Sequence, residues 1–232
     1  LGDDIMKFLE LLLVFCIGVS FTSLDKENRE DVIYIDPGHG GDDGGCVGVD
    51  GTNEKDINLA ISFELREYLE RVGFVVKLTR TGDFDLSKSS SKNHKREDMI
   101  KRCELLNRSF LFVSIHANKY NSKSISGAQV FYYGDKNKEF ALSIQKSLKE
   151  FVGSQRKALE IEEKFLLENT SKTGCIVEVG FLSNPEELKK LKDKVYQQKI
   201  AMAIGIGIMS YLNENKKWII ISYYWFIFYE IL

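Results

Sequence analysis

Short runs of consecutive apolar residues alternate along this chain with longer stretches in which apolar residues recur every three or four positions. The first kind predicts buried strands and the second amphipathic helices. Val32-Ile33-Tyr34-Ile35 is the first such run, and it leads directly into Asp36-Pro37-Gly38-His39-Gly40-Gly41, where Pro and Gly end the strand. From Glu54 to Val72 the positions Ile57, Leu59, Ala60, Ile61, Leu65, Tyr68, Leu69 and Val72 keep near a 3.6-residue period, and Gly73 closes the predicted helix. Phe74 to Arg80 is the second strand. A strand, a helix-length crossover and a strand predict a right-handed parallel unit.

The alternation continues to the far end. Asp83 to Asn93, rich in Ser and Lys and without period, is a predicted surface loop; Lys95 to Ser109 is a helix, and Phe110 to Ile115 a buried strand ending at His116. Gly127 to Tyr133 reads as a strand with β-favouring aromatics, Lys136 to Val152 as a helix, and Lys164 to Leu167 as a short edge strand. Cys175 to Gly180 is nearly all apolar, broken only by Glu178. Asn184-Pro185-Glu186-Glu187 then combines an Asn cap, a first-turn Pro and acids that suit the helix dipole, opening a helix to about Asp193. Ile200 to Leu212 is apolar on most faces, as a buried helix is. The expected fold is a single α/β domain, residues 30–213, with a mostly parallel twisted sheet and helices on both faces.

The two ends differ from this pattern. Met6-Lys7 followed by Phe8 to Phe21 has the basic start and apolar core of a secretion signal, so residues 1–29 are expected to be a signal or membrane-anchor segment and linker, with Met6 as the biological start. A buried core helix is the competing reading. Residues 214–232 form an apolar, aromatic tail that fits an interfacial anchor, a core element or a translation artefact equally well.

Composition narrows the function. Lys+Arg 32 against Asp+Glu 34 leaves a net charge of -2, which does not point to nucleic acid. The cysteines Cys16, Cys46, Cys103 and Cys175 form no CxxC pair, which disfavours a zinc ribbon or redox dithiol; Cys103 and Cys175 fit as small core residues. In open α/β sheets ligands gather beyond the carboxyl ends of the strands. His39, His116 and Glu178 all fall there, and Glu54 opens the first helix. Of the chain's 3 histidines, His94 alone lies in the polar loop and is expected to be a solvated bystander.

Two imidazoles and a carboxylate with a position left for water is the donor set of catalytic zinc. Taken alone, His39 also fits an incidental residue in a glycine-rich turn. A carboxylate such as Glu178 inside an apolar strand needs a partner. That partner is either an arginine, Arg80 or Arg102, or a cation in a polar cleft where Glu178 would act as a base. Arg80 suits an acidic substrate or a carboxylate partner equally.

Asp36 to Gly41, Glu54, Thr79-Arg80, Arg102, Asn107, Ser114-Ile115-His116-Ala117-Asn118 and Glu178 to Asn184 occur in this order. The set resembles the zinc-dependent N-acetylmuramoyl-L-alanine amidases of the third amidase type, over about Val32 to Leu212. The resemblance implies zinc held by His39, Glu54 and His116, Glu178 as general base and acid, and Arg80 and Asn118 as substrate-binding residues. It implies hydrolysis of the amide joining muramic acid to L-alanine, with a peptidoglycan glycan strand and its stem peptide as substrate, outside the cytoplasm. One departure is Gly174-Cys175, where relatives usually have Pro-Ala; it is expected to change loop rigidity. A secretion-type segment leading straight into the domain, without wall-binding repeats, is similar to the spore-cortex branch, which prepares muramic lactam for germination. The N-terminal segment is a candidate membrane tether, and an activating protein is a candidate partner at the Ser-rich loop or tail. Competing readings are a wall-binding module with a structural metal and a zinc carboxypeptidase acting on the stem peptide.

Overall fold

The computed structural model describes residues 31–88 and 90–215; the expected signal or anchor segment and the aromatic tail beyond residue 215 lie outside the described residues. The strands are β1 (Val32–Pro37), β2 (Val75–Leu78), β3 (Leu111–Asn118), β4 (Gln129–Tyr132), β5 (Leu159–Glu160) and β6 (Thr173–Phe181). The helices are α1 (Glu54–Arg71), α2 (His94–Leu106), α3 (Asp135–Val152), α4 (Phe165–Glu168), α5 (Pro185–Leu191) and α6 (Lys194–Glu214). They form one α/β domain around a six-stranded sheet of order β2-β1-β3-β6-β4-β5. Strands β2, β1, β3 and β6 run parallel, whereas β4 pairs antiparallel with β6 and β5 runs parallel to β4. No helix among the described residues is long and apolar enough to cross a membrane.

Side chains alternate across a strand, so each strand divides its residues between two faces. Ile33 and Ile35 of β1, Leu111, Val113 and Ile115 of β3, and Cys175, Val177 and Val179 of β6 enter the larger core with residues from α1, α3 and α6. Tyr34, Phe112 and Ile176 face the other way and pack in a smaller cluster with Leu106 of α2 and Leu166 and Leu167 of α4. Asp36, Ser114, His116 and Glu178 continue that second face toward the carboxyl ends of the strands. The smaller helical cover leaves room there for polar side chains.

The expected edge strand at Lys164 to Leu167 is corrected. Leu166 and Leu167 are adjacent and both buried in the same cluster, which a helical turn permits and a strand, with its period of two, does not. Phe165–Glu168 is accordingly helical, and Leu159–Glu160 is the edge strand. The expected surface loop ends at Asn93, which caps α2 by accepting the Arg96 amide, and the helix begins at His94, one residue before the expected start, so His94 belongs to the helix rather than to the loop.

Gly174 also differs from expectation, lying within β6 rather than in a loop, opposite Phe112 of β3. A Cβ at 174 would sit 2.1 Å from the Phe112 ring, and the Gly174 amide donates to Asn137 Oδ1 at 3.0 Å. The ring occupies the space, and a proline would also lack the donor.

Candidate metal centre

The strand order reverses at β1: its crossover through α1 leads to β2 on one side, and β3 lies on the other. Such a switch point opens a crevice at the carboxyl ends of the strands. His39 follows β1 into this crevice, His116 stands near the end of β3, and Glu54 is the first residue of α1. Ligand atoms of these three side chains all lie within 4.8 Å of one another, and they form the metal-capable cluster found among the described residues. Glu54 Oε1 is 3.2 Å from His39 Nε2 and 3.0 Å from His116 Nδ1, and the two rings meet edge to face with centroids 5.1 Å apart.

Close backbone approach makes this arrangement possible. A Cβ at Gly38 would fall 2.2 Å from the His116 ring, and one at Gly45, where φ is +69°, would fall 2.6 Å from Glu54 Oε2. His39 itself adopts φ +62°, a conformation uncommon outside glycine. Buried guanidinium groups hold the strained loop. Arg102 donates to Pro37 O at 2.7 Å, to His39 O at 2.6 Å, to Asp36 Oδ1 at 2.7 Å and to Asp98 Oδ2 at 2.8 Å. Thr79 and Ser114 hydroxyls complete the shell of Asp36 at 2.5 and 2.6 Å. Burial alone would raise the Asp36 pKa; the Arg102 charge and the two hydroxyl bonds outweigh it and hold the group below the usual carboxylate range.

Arg80 is only 1% exposed and donates to four backbone carbonyls, those of Pro37, Gly38, Lys55 and Gly82, at 2.8 to 3.0 Å. Two of these bonds hold the loop that carries His39, and the other two reach the first turn of α1 and the segment after β2. Asn118 closes β3 half-buried, its Oδ1 accepting the Lys119 amide at 2.7 Å. His94 begins α2 and bonds Ser87 Oγ at 2.6 Å, outside the cluster.

Glu54 is 4% exposed, yet its carboxylate is well supplied with donors. Cys46 N reaches Oε2 at 2.9 Å, while Ala117 N and Asn58 Nδ2 each reach Oε1 at 3.2 Å. Burial pushes its pKa up, but the bonds and charges of His116 and His39 prevail and depress it strongly, so the group is an anion. His39 feels the converse: burial lowers its pKa, and the bonds with Glu54 and Asp43 raise it overall. Burial and the neighbouring Glu54 push the Cys46 thiol up to about 12, so it stays protonated and donates to Ala117 O at 3.2 Å.

Glu178 pairs in register with His116 across β3 and β6. Its Oε2 is buried without a hydrogen-bond partner among the described residues, and burial raises its pKa. Neither arginine considered as its partner is available. Three groups escaped the sequence reading: Asp43, whose Oδ2 lies 3.0 Å from His39 Nδ1, Asn58, and the amides of Cys46 and Ala117. Asn58 had a signal, being one turn after Glu54 on the helix. The amides had none.

The donor set fits zinc. Two imidazoles and an anionic carboxylate converge, an outer carboxylate orients one imidazole, and an unpaired carboxylate oxygen stands beside them. Fold and cluster together define an α/β protein with a candidate hydrolytic metal centre at the switch point of its sheet. The family model described as N-acetylmuramoyl-L-alanine amidase matches residues 33–210, and the chain belongs to that family. It is 39% identical over 229 residues to the germination-specific N-acetylmuramoyl-L-alanine amidase of Bacillus subtilis (strain 168), covering 90% of this chain and 96% of the relative. Among solved structures, the CwlD amidase from Clostridioides difficile in complex with the GerS lipoprotein superposes with a TM-score of 0.76 at 39% identity, over 79% of this chain and 99% of that one. The catalytic domain of the CwlV amidase from Bacillus (Paenibacillus) polymyxa var. colistinus gives 0.71 at 29% identity, over 79% and 98%.

Proposed function

We propose that this protein hydrolyses the amide between the lactyl group of N-acetylmuramic acid and L-alanine in peptidoglycan, with zinc held by His39, Glu54 and His116. Zinc, when bound, supplies a Lewis acid that polarises the scissile carbonyl and acidifies a water. Glu178 is the base and then the acid: Oε2 takes a proton from the attacking water and delivers it to the alanine nitrogen, which leaves as an amine. The carbonyl carbon gains the water oxygen and becomes a carboxylate. Asn118, at the mouth of the crevice, meets the substrate. The observation that carries this reading is the unpaired, buried Oε2 of Glu178 in register with His116.

The substrate is the spore cortex and the action extracytoplasmic, a reading supported by likeness to the germination-specific relative. The catalytic domain spans residues 30–213, residues 1–29 serving as signal or tether. A lipoprotein partner is carried over from the C. difficile complex. Metal analysis with mass spectrometry of digested cortex tests the scheme. Free L-alanine amino ends on intact stem peptides, matched by unsubstituted muramic acid, are expected. Stem peptides shortened at their carboxyl ends would replace the reading with a carboxypeptidase, and muropeptides bound without cleavage would replace it with a wall-binding module.

A further inference from the structure

Asn58 lies one helical turn after Glu54 on the inward side of α1 and is fully buried. Its Nδ2 donates at 3.2 Å to Glu54 Oε1, the oxygen that faces both imidazoles, and at 3.2 Å to Gly38 O, in the loop that carries His39. Gly38 is also the residue whose missing Cβ makes room for the His116 ring. One amide group thus joins α1 to the β1 loop at the point where all three cluster residues meet.

The other half of the same side chain gains nothing. Asn58 Oδ1 is buried with no hydrogen-bond partner among the described residues. A buried acceptor left unmatched opposes folding. Removing the amide would orphan neither acceptor, because Gly38 O also receives Arg80 Nη2 at 3.0 Å and Glu54 Oε1 also receives Ala117 N at 3.2 Å. An apolar residue of the same shape would therefore suit stability as well or better.

We propose that Asn58 is a positioning residue for the metal centre: its amide fixes the Glu54 carboxylate in one orientation against the His39 loop and so preorganises the site for zinc. This rests on the metal reading above. Outer partners of metal ligands contribute in this way by restricting the ligand to its binding geometry. The cost is the unmatched Oδ1, which purely structural packing would not retain.

The test uses the full chain and its Asn58→Leu and Asn58→Ala variants, with zinc affinity measured by competition against a chromogenic chelator and melting temperature measured metal-free. Asn58→Leu is expected to bind zinc about 10- to 100-fold more weakly while its metal-free melting temperature equals or exceeds that of the wild type. Asn58→Ala is expected to lose the same affinity, so the result stands even if the leucine variant does not fold. Unchanged zinc affinity in either folded variant, beside a wild type that binds zinc, overturns the role of Asn58 and leaves the metal reading intact. Weakened affinity that only tracks a lowered metal-free melting temperature in both variants also overturns it. A wild type that takes up no zinc overturns the metal reading and this inference together.

Discussion

His116 and Glu178 occupy the same level of adjacent parallel strands, and beside the site in which His116 meets Glu54 the buried Oε2 of Glu178 has no hydrogen-bond partner among the described residues. Glu178→Gln preserves the shape and removes the proposed base. Turnover is expected to fall by about a hundred- to ten-thousand-fold, with zinc content unchanged. A Glu178→Gln protein that keeps wild-type turnover on purified peptidoglycan would remove Glu178 from the mechanism.

His116→Ala and His39→Ala should lose metal as well as activity, since each deletes one of the three proposed ligand groups. If these residues hold zinc as proposed, the ion at about 100 times its Kd should stabilise the wild type by about 2.7 kcal/mol. Thermal melts with and without a chelator should show this gap in the wild type and not in either variant; equal gaps would place the metal elsewhere.

The buried pair of Asp36 and Arg102 makes stability depend on acid. Because the Asp36 pKa is lowered in the folded state, its contribution is complete above the unfolded carboxylate value of about 3.9 and is lost as pH falls through the folded value. Asp36→Asn should be less stable at neutral pH, by about 3–5 kcal/mol, and should lose less on going to pH ~3. Urea unfolding at both pH values measures the difference, and parallel losses in the two proteins would count against the pair.

Arg80 donates to the carbonyls of Pro37 and Gly38, next to His39. Arg80→Met is therefore expected to lower the melting temperature of the metal-free protein. If the variant instead melts normally and shows only a raised KM, the guanidinium reaches the substrate after all.

Gly174→Ala would drive a methyl into the Phe112 ring, and overpacking of this kind costs about 1–3 kcal/mol. Adding Phe112→Leu should recover part of that loss, because neighbouring substitutions are not additive. Strictly additive denaturation midpoints would mean that the two residues do not compete for the space.

Local periodicity determined much of this protein. Consecutive apolar runs and 3.6-residue patterns report which side of an element is buried, and they place β1, α1, β3 and β6, along with His39, His116 and Glu178 at the ends of strands, without knowledge of neighbours. Tertiary structure decided what periodicity does not encode. The four residues Lys164 to Leu167 are too few to display a period, so packing against Phe112 and Ile176 made their latter part helical. Arg80 and Arg102 are cations at the level of sequence; only the strained loop beside them shows that they serve its carbonyls. Glu54 meets both imidazoles because β3 lies on the opposite side of β1 from β2, and His116 reaches it from 62 residues away. Strand order and register are properties of the whole sheet, and no window of sequence short enough to read contains them.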